Sequence, residues 1–244
     1  MSYTYSGVLG VSAVNKVSMQ LLILGRGKTG SQIADMARER RHHVEVLCGA
    51  DNANACTLTP AFLAPFNAVI DFTTPAAVVA NAEACIRARK SIVIGTTGWY
   101  DHLPRLRALA LAANSGLLYG SNFSIGVNLF FEVVQAAAAA MNFDYSGQIF
   151  ERHHAQKKDA PSGTAMVMQR MIRDATRQEI EIVSFREGDA VGMHELVFNS
   201  AADRIYLCHD AKSRRGFAEG AVRAAEWLVG KSGVYDFREI WREL

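Results

Sequence analysis

A glycine-rich turn directly after a short apolar run is the feature that most constrains the fold. Residues 19–24 form that run, which is typical of a buried parallel strand. Residues 31–41 follow the turn and place apolar side chains at helical spacing. Between them lies a G-x-G-x-x-G motif made of Gly25, Arg26, Gly27, Lys28, Thr29 and Gly30. The bare motif also occurs in ordinary turns, but between a strand and a helix it predicts a bound dinucleotide whose pyrophosphate meets the helix N-terminus.

Strands and helices continue to alternate up to residue 123. Strands are expected at residues 43–48, 66–72, 91–94 and 116–119, and helices at 73–88 and 101–113. This alternation predicts an α/β fold with a doubly wound parallel sheet, which binds ligands at the carboxyl ends of its strands. The small or polar residues at those ends would also suit plain turns, but together they predict a nicotinamide pocket: Phe72, Gly95, Thr96, Thr97, Ser121, Asn122 and Phe123.

The acid that usually binds the adenosine ribose is expected about 20 residues past the last glycine. Asp51 lies there, although it could instead be a simple turn residue. No Lys or Arg occurs between Arg41 and Arg87, so a 2′-phosphate would find no nearby cation in this segment. The cofactor is therefore expected to be NADH and/or NADPH, with NADH used at least as well as NADPH.

The second half of the chain has a different pattern. A long apolar helix is expected at residues 124–141, and strands at 180–185, 194–199 and 204–208 alternate apolar and polar side chains. This predicts an inserted α+β domain over residues 124–212, with an antiparallel sheet covered by helices on one face. Residues 213–244 are expected to return to the first domain (19–123) through a helix at 221–228, with no further parallel strand. A broad apolar sheet face also makes pairing between subunits plausible.

Residues 151–165 contain the densest set of chemically active side chains. Strand alternation gives the adjacent His153 and His154 different directions, and imidazole suits proton donation near neutrality. Lys157 and Lys158 are cations that suit carboxylates. Residues 161–164 open a helix, whose free N–H groups attract anions. Each feature alone has an ordinary structural explanation, but their density in one loop predicts a site for a small acid.

Composition excludes several other classes. A net charge of +2 without a basic block argues against nucleic-acid binding, and no apolar run is expected to span a membrane. The four cysteines have no metal-binding spacing and are expected to be reduced thiols in the cytoplasm. No metal is expected. Residues 1–18 form an extension of unknown role that is a poor signal peptide.

The string H-H-x-x-K-x-D-x-P-S-G-T-A at residues 153–165 resembles the signature of the 4-hydroxy-tetrahydrodipicolinate reductase family, which belongs to the diaminopimelate route to lysine. Blocks at residues 71–73, 95–98, 122–128 and 220–227 are similar to family blocks in the same order. The resemblance covers nearly the whole chain from Met19. It implies a dinucleotide domain with an inserted substrate domain, a small dicarboxylate substrate and a homotetramer.

The resemblance also implies roles for individual residues. His153 matches the proton donor and Lys157 the second catalytic residue, whereas Lys158 matches no role. Substrate-binding positions are matched by His154, Ser162, Gly163 and Thr164. The glycine loop departs from the family pattern, because it is one residue shorter and has Thr29 where methionine is common.

Three other functions remain open on the sequence. The chain could be a related oxidoreductase acting on another small imino or keto acid. It could be a nucleotide sensor without turnover. It could also be a metal protein using His153 and His154 with His194 or Glu151, although adjacent histidines on a strand are poorly spaced for chelation.

Overall fold

The computed structural model describes residues 18–244, so the predicted extension lies outside the described residues except for Ser18. Six of the described strands form an all-parallel sheet in the order β10-β5-β4-β3-β1-β2. They are β1 (Gln20–Leu24), β2 (His43–Leu47), β3 (Ala68–Asp71), β4 (Ser91–Ile94), β5 (Gly116–Tyr119) and β10 (Gly233–Asp236). The predicted doubly wound α/β fold is confirmed.

Helices cover both faces of this sheet, as the continuous apolar strands require. On one face Leu21 and Ile23 of β1 pack in a core with the helices at residues 28–39 and 215–228. On the other face Leu22 and Leu24 pack in a core with the helices at residues 75–87 and 103–113. The helices are α1 (Lys28–Glu39), α2 (Pro60–Leu63), α3 (Pro75–Arg87), α4 (Leu103–Ala113), α7 (Arg215–Leu228) and α8 (Phe237–Ile240). Successive side chains of one strand therefore supply two separate cores.

The end of the chain departs from the expectation in two ways. Strand β10 follows the last long helix and pairs in parallel with β5, although no further parallel strand was predicted. Only Val234 and Tyr235 mark it in the sequence, which is too short a run to be recognised. Helix α7 begins at Arg215, whereas the prediction began it at residue 221. The first turns were missed because Gly216 and Gly220 have low helix propensity.

A second sheet has the strand order β7-β6-β8-β9. Its strands are β6 (Ser146–His153), β7 (Glu181–Arg186), β8 (Met193–Asn199) and β9 (Arg204–Asp210), and a core joins it to α5 (Ile125–Ala137) and α6 (Gly163–Thr176). The prediction of an antiparallel sheet was wrong for one pair, since β6 and β7 run parallel. Helix α6 lies between them in sequence, and a parallel pair needs such a crossover.

The apolar segment at residues 125–143 differs from the single helix that was predicted at residues 124–141. By length and composition alone, this segment is long and apolar enough to cross a membrane, and it is the one such segment among the described residues. Helix α5 ends at Ala137 and a 3₁₀ segment continues to Phe143, whereas one helix to residue 141 was predicted. Val127, Phe131 and Val134 are buried in the core against the second sheet. A core helix passes the same length-and-composition test, so this segment alone is weak support for a membrane span.

Candidate active site

One cavity of about 570 Å³ lies between the carboxyl ends of the parallel strands and the second sheet. Its wall combines residues predicted for the cofactor with residues predicted for the substrate. From the first group come Thr29, Phe72, Gly95, Thr97, Ser121 and Asn122, and from the second His153, His154, Lys157, Ser162, Gly163 and Thr164. Segments far apart in the sequence therefore share one cleft.

The glycine turn has the geometry that a pyrophosphate needs. Gly27 is the N-cap of α1, and no side chain caps the helix or places an acid in its first turn. Gly25 has a φ of +104°, and a Cβ there would lie 2.4 Å from the Phe72 carbonyl oxygen. A Cβ on Gly30 would lie 2.2 Å from the Gly25 oxygen. Backbone atoms therefore pack closely against Gly25 and Gly30, whereas the N-terminus of α1 has free N–H groups that fit the pyrophosphate of a dinucleotide.

A smaller cavity of about 300 Å³ adjoins this turn and is lined by Gly27, Gly30 and Thr96. It shares Thr29, Phe72, Gly95 and Thr97 with the larger cavity, so the space is continuous past the glycine turn.

Five predicted cofactor residues line neither of these two cavities: Gly25, Arg26, Lys28, Asp51 and Phe123. Asp51 is exposed at the end of a 3₁₀ turn beyond β2, where its carboxylate accepts a hydrogen bond from Cys48 at 2.6 Å. Phe123 is buried and its ring packs 5.7 Å from that of Phe72. Direct cofactor contact by these five residues stays a prediction.

Asp71 organises the strand ends beneath the nicotinamide pocket predicted there. It is fully buried at the end of β3 and accepts hydrogen bonds from Thr73, Asn81 and Thr96 at 2.7–3.1 Å. Burial raises the pKa of Asp71, although these hydrogen bonds act in the opposite direction. Sequence reasoning placed Asp71 only in a family block. Its apolar strand neighbours gave the signal, because a carboxylate there must be fully hydrogen-bonded.

The alternation of β6 aims Glu151 and His153 at the same side. Ile149, Glu151 and His153 are buried at every second position, whereas His154 follows the end of the strand and is half-buried. The two histidines are therefore separated as the sequence predicted. The imidazole Nδ1 of His153 contacts the Glu151 carboxylate in a close hydrogen bond. Burial lowers the pKa of His153, while the hydrogen bond and charge of Glu151 act to raise it.

His194 on β8 was named in the sequence only as a possible metal ligand beside His153 and His154. Its ring lies 5.2 Å from that of His153, and its Nε2 is 2.9 Å from the Ser162 hydroxyl. Burial, followed by the nearby His153, lowers the pKa of His194 to about 3. Ser162 also caps α6 by accepting from the Ala165 N–H at 3.2 Å, an interaction worth about 1 kcal/mol. The alternating pattern of β8 could have revealed His194, as a polar side chain on the apolar face.

Cationic side chains face the cleft from two segments. Lys157 lines the cavity while its ammonium donates to the Asp159 carboxylate at 2.8 and 2.9 Å. Arg214, just before α7, lines the same cavity. Asn122 joins the two halves of the wall by donating to the Thr164 hydroxyl at 3.3 Å. Both ends of a doubly charged small acid could thus meet positive charge.

Within the described residues, Glu151, His153 and His194 form one group that could hold a metal ion, with potential ligand atoms within 4.8 Å of one another. The Glu151 carboxylate is already paired with the Arg186 guanidinium at 2.6 Å and with His153. A cation placed there would be repelled by Arg186, so these groups suit a hydrogen-bonded network better than a metal centre.

A glycine turn that fits a dinucleotide and shares one cleft with a buried imidazole is typical of one class of protein, the dinucleotide-dependent oxidoreductases. The N-terminal profile of dihydrodipicolinate reductase matches residues 19–123, and the C-terminal profile matches residues 126–241. The chain belongs to the dihydrodipicolinate reductase family, oxidoreductases of the reduction step in lysine and diaminopimelate biosynthesis. The family predicted from the signature is confirmed.

Two relatives support this assignment over most of the chain. The 4-hydroxy-tetrahydrodipicolinate reductase of Christiangramia forsetii is 36% identical over 242 residues, covering 93% of this chain and 99% of the relative. The reductase of the same name from Pelobacter propionicus is 37% identical, covering 79% of this chain and 80% of the relative.

Solved structures agree on the fold. The dipicolinate-bound dihydrodipicolinate reductase from Paenisporosarcina sp. TG-14 superposes with a TM-score of 0.74 at 23% identity, covering 92% of this chain and all of that one. GenD2 from gentamicin A biosynthesis, solved in complex with NAD, has a TM-score of 0.59 at 12% identity, with 88% of this chain and 87% of that chain covered. At these identities the likeness concerns the fold.

Proposed function

We propose that this protein reduces 4-hydroxy-tetrahydrodipicolinate to tetrahydrodipicolinate, with loss of water, in the cytoplasm. The observation that carries the proposal is the shared cavity, in which His153 and Lys157 face the strand ends next to the glycine turn. The substrate is a cyclic dicarboxylate, so the site must supply a reductant, a proton and anion-binding groups.

A bound NADH or NADPH supplies the hydride. The N-terminus of α1 would hold it, because Gly27 leaves open space for a pyrophosphate and no side chain caps the first-turn N–H groups. Next to the turn, Phe72, Gly95 and Asn122 line the part of the cleft proposed for the nicotinamide. Gly95 matters sterically, because a Cβ there would meet the Phe72 ring at 2.0 Å.

His153 supplies the proton that the electron-rich ring needs after hydride transfer. Its Nδ1 is engaged by Glu151, which leaves Nε2 for the substrate. Burial lowers the pKa of His153, so its imidazolium form gives up the Nε2 proton more easily than an exposed imidazolium would.

The substrate carboxylates are bound by Lys157 and by the N-terminus of α6. Ser162 accepts from the Ala165 N–H, whereas the amides of Gly163 and Thr164 belong to the first turn of the helix, whose N–H groups have no acceptor within it, and both residues line the cleft. Asp159 holds the Lys157 ammonium at the cavity wall, where an incoming carboxylate can take its place.

The finer cofactor choice rests on charge. Asp51 follows β2, whose end is joined to the glycine turn by the Gly25 N–H donating to the Leu47 carbonyl at 3.0 Å. A carboxylate at this corner favours ribose hydroxyls over a 2′-phosphate, which supports use of NADH at least as well as NADPH.

Self-association, and with it the homotetramer that the family resemblance implies, is supported by a face of the second sheet that no helix of residues 18–244 covers. Opposite α5 and α6, this face carries Phe150, Phe185, Met193, Val197 and Tyr206 among charged side chains that include Arg152 and Glu195, and Tyr206 is 59% exposed. An apolar sheet face of this kind is typical of a self-association surface. We expect Tyr206→Asp to shift the mass measured by light scattering towards smaller species.

The decisive experiment follows NADH loss with freshly made product of the preceding synthase. His153→Ala is expected to lower kcat at least about 100-fold while NADH affinity is kept, in line with the contribution of a general acid. Turnover of other imino or keto acids at equal kcat/KM would favour a related oxidoreductase, and NADH binding without any turnover would favour a sensor.

A further inference from the structure

The carboxylate of Glu151 lies directly behind the imidazole that is proposed to donate the proton. Glu151 is completely buried on β6, two residues before His153 and on the same face of the strand, and its Oε2 contacts His153 Nδ1. The proposed function uses this carboxylate only as the hydrogen-bond partner of His153 Nδ1, and gives it no part in the tautomer or the titration of the ring. A buried charge of this kind is costly unless its partners compensate for it.

The partners of Glu151 are positioned to keep it ionised and fixed. The Arg186 guanidinium on β7 donates to Oε1 at 2.6 Å, and the Ser162 N–H donates to the same oxygen at 3.3 Å. Burial raises the pKa of Glu151, but the hydrogen bonds from Arg186 and His153 are among those that outweigh this and hold the pKa below its ordinary value. Arg186 also donates to the Asp159 carbonyl at 2.6 Å, so the same cation ties down the loop that carries Lys157.

An ionised carboxylate can only accept hydrogen bonds, so its contact with Nδ1 requires a hydrogen on that nitrogen. Nε2 is then the atom that gains and loses the proton. It lies on the cavity side against Gly192, where a Cβ would be 3.0 Å from it. Gly192 therefore leaves room next to the atom that would face a substrate.

We propose that Glu151 is a positioning residue, whose buried carboxylate accepts the Nδ1–H of His153 and so holds the transferable proton at Nε2. The role rests on the proposed function of His153. It differs from an ordinary structural ion pair with Arg186, because Glu151 then controls both the tautomer and the proton affinity of the imidazole.

The charged groups around His153 set the direction of the expected pH effects. Glu151 on β6 stabilises the imidazolium, whereas Lys157 in the loop and Arg186 on β7 oppose it. His194 on β8 packs against the ring. Removing the Glu151 charge should therefore weaken proton binding at His153, and removing the Arg186 charge should strengthen it.

The test is Glu151→Gln, which keeps the shape and an acceptor oxygen but removes the charge. The ¹⁵N chemical shifts of His153, assigned by comparison with His153→Ala, report its tautomer and titration directly. We expect a loss of the dominant Nδ1–H tautomer and a titration about one pH unit more acidic. The alkaline limb of kcat/KM should shift with it, lowering kcat/KM at pH 8 about tenfold.

Arg186→Gln is the matched comparison, since it breaks the same ion pair from the other side. Its His153 titration should move to higher pH. Should Glu151→Gln fail to fold, Glu151→Gln/Arg186→Met leaves no uncompensated charge and should still titrate more acidically than the wild type. A folded Glu151→Gln or double variant with the wild-type tautomer and titration would overturn the proposal, as would equal shifts in the same direction for Glu151→Gln and Arg186→Gln.

The roles of His153 and Glu151 can be tested separately. If His153→Ala kept full kcat/KM, the proposed proton donor would be wrong, yet the ¹⁵N spectra would still decide whether Glu151 controls His153.

Discussion

The Lys157 ammonium is held by the carboxylate of Asp159, two residues later in the same loop, at 2.8 and 2.9 Å. The side chain of Asp159 is 60% exposed, so the pair is well solvated and of the kind that contributes little to stability. Its effect is therefore on position: the cation is kept at the cavity wall rather than extended into solvent.

This pair predicts that Lys157 and its neighbour Lys158 differ sharply in importance. Lys157→Ala should lower kcat/KM for the dicarboxylate about 100-fold, because a charge-assisted contact to substrate is lost. Lys158→Ala removes the same charge from the next residue, which does not line the cavity. It should stay within about twofold of the wild type in the coupled assay, and similar losses in both variants would contradict the assignment.

The glycine turn predicts a variant that folds but binds cofactor poorly. Gly27 has ordinary negative φ, and a Cβ there would meet nothing within 4 Å. Gly27→Ala should keep the wild-type Tm, whereas its methyl group would occupy space proposed for the pyrophosphate and raise the Kd for NADH about tenfold or more. Gly49→Ala, also free of contacts within 4 Å, is the control. An unchanged Kd in Gly27→Ala would exclude close approach of the cofactor at this turn.

Cofactor preference can be measured at Asp51. We expect the wild type to use NADH at least as well as NADPH, and Asp51→Ala to shift the ratio of kcat/KM values towards NADPH by about tenfold, since a 2′-phosphate is no longer repelled. Asp174→Ala, an exposed substitution on α6, should leave that ratio unchanged. A wild-type ratio strongly in favour of NADPH would show that another residue reads the ribose.

Acid should destabilise the protein through His194. Its pKa of about 3 in the folded chain lies below the ordinary value of 6.5, so protons bind the unfolded chain more tightly. The resulting stability is fully present above about pH 6.5 and declines as pH falls towards 3, by at most about 1.4 kcal/mol per pH unit. Urea unfolding between pH 7 and pH 5 should show a shallower decline for His194→Gln than for the wild type. His43→Gln, at an exposed histidine, should follow the wild-type slope.

Metal removal should leave activity intact. Because the Arg186 guanidinium already occupies one side of Glu151, the turnover rate should be the same before and after dialysis against a strong chelator. A loss of activity that Zn²⁺ restores would instead assign Glu151, His153 and His194 as ligands.

Local patterns predicted the parallel sheet well, because each of its early strands is a short apolar run bounded by turn residues. The observed ranges of β4 (Ser91–Ile94) and β5 (Gly116–Tyr119) are the same as the predicted ranges. Strand β10 could not be predicted in this way, since it is a short edge strand whose pairing with β5 depends on a contact distant in sequence. The parallel pairing of β6 with β7 was likewise hidden, because alternation does not reveal strand direction.

The site shows the same division. His153 and Lys157 stood out because unusual side chains were close together in the sequence. Glu151, His194 and Arg186 come from three different strands, and only the registers of β6 with β7 and with β8 bring them together. Their contacts depend on that pairing, which a single sequence does not display.

The position of β10 has a consequence for protein synthesis. The parallel sheet takes its edge strand from residues 233–236, and α7, which packs against α1, comes from residues 215–228. A ribosome still covers this part of the chain when the second sheet has already emerged. The nucleotide-binding half therefore stays incomplete until residues 215–236 have emerged, and a fragment that ends before β10 would leave β5 unpaired at the sheet edge and prone to aggregate.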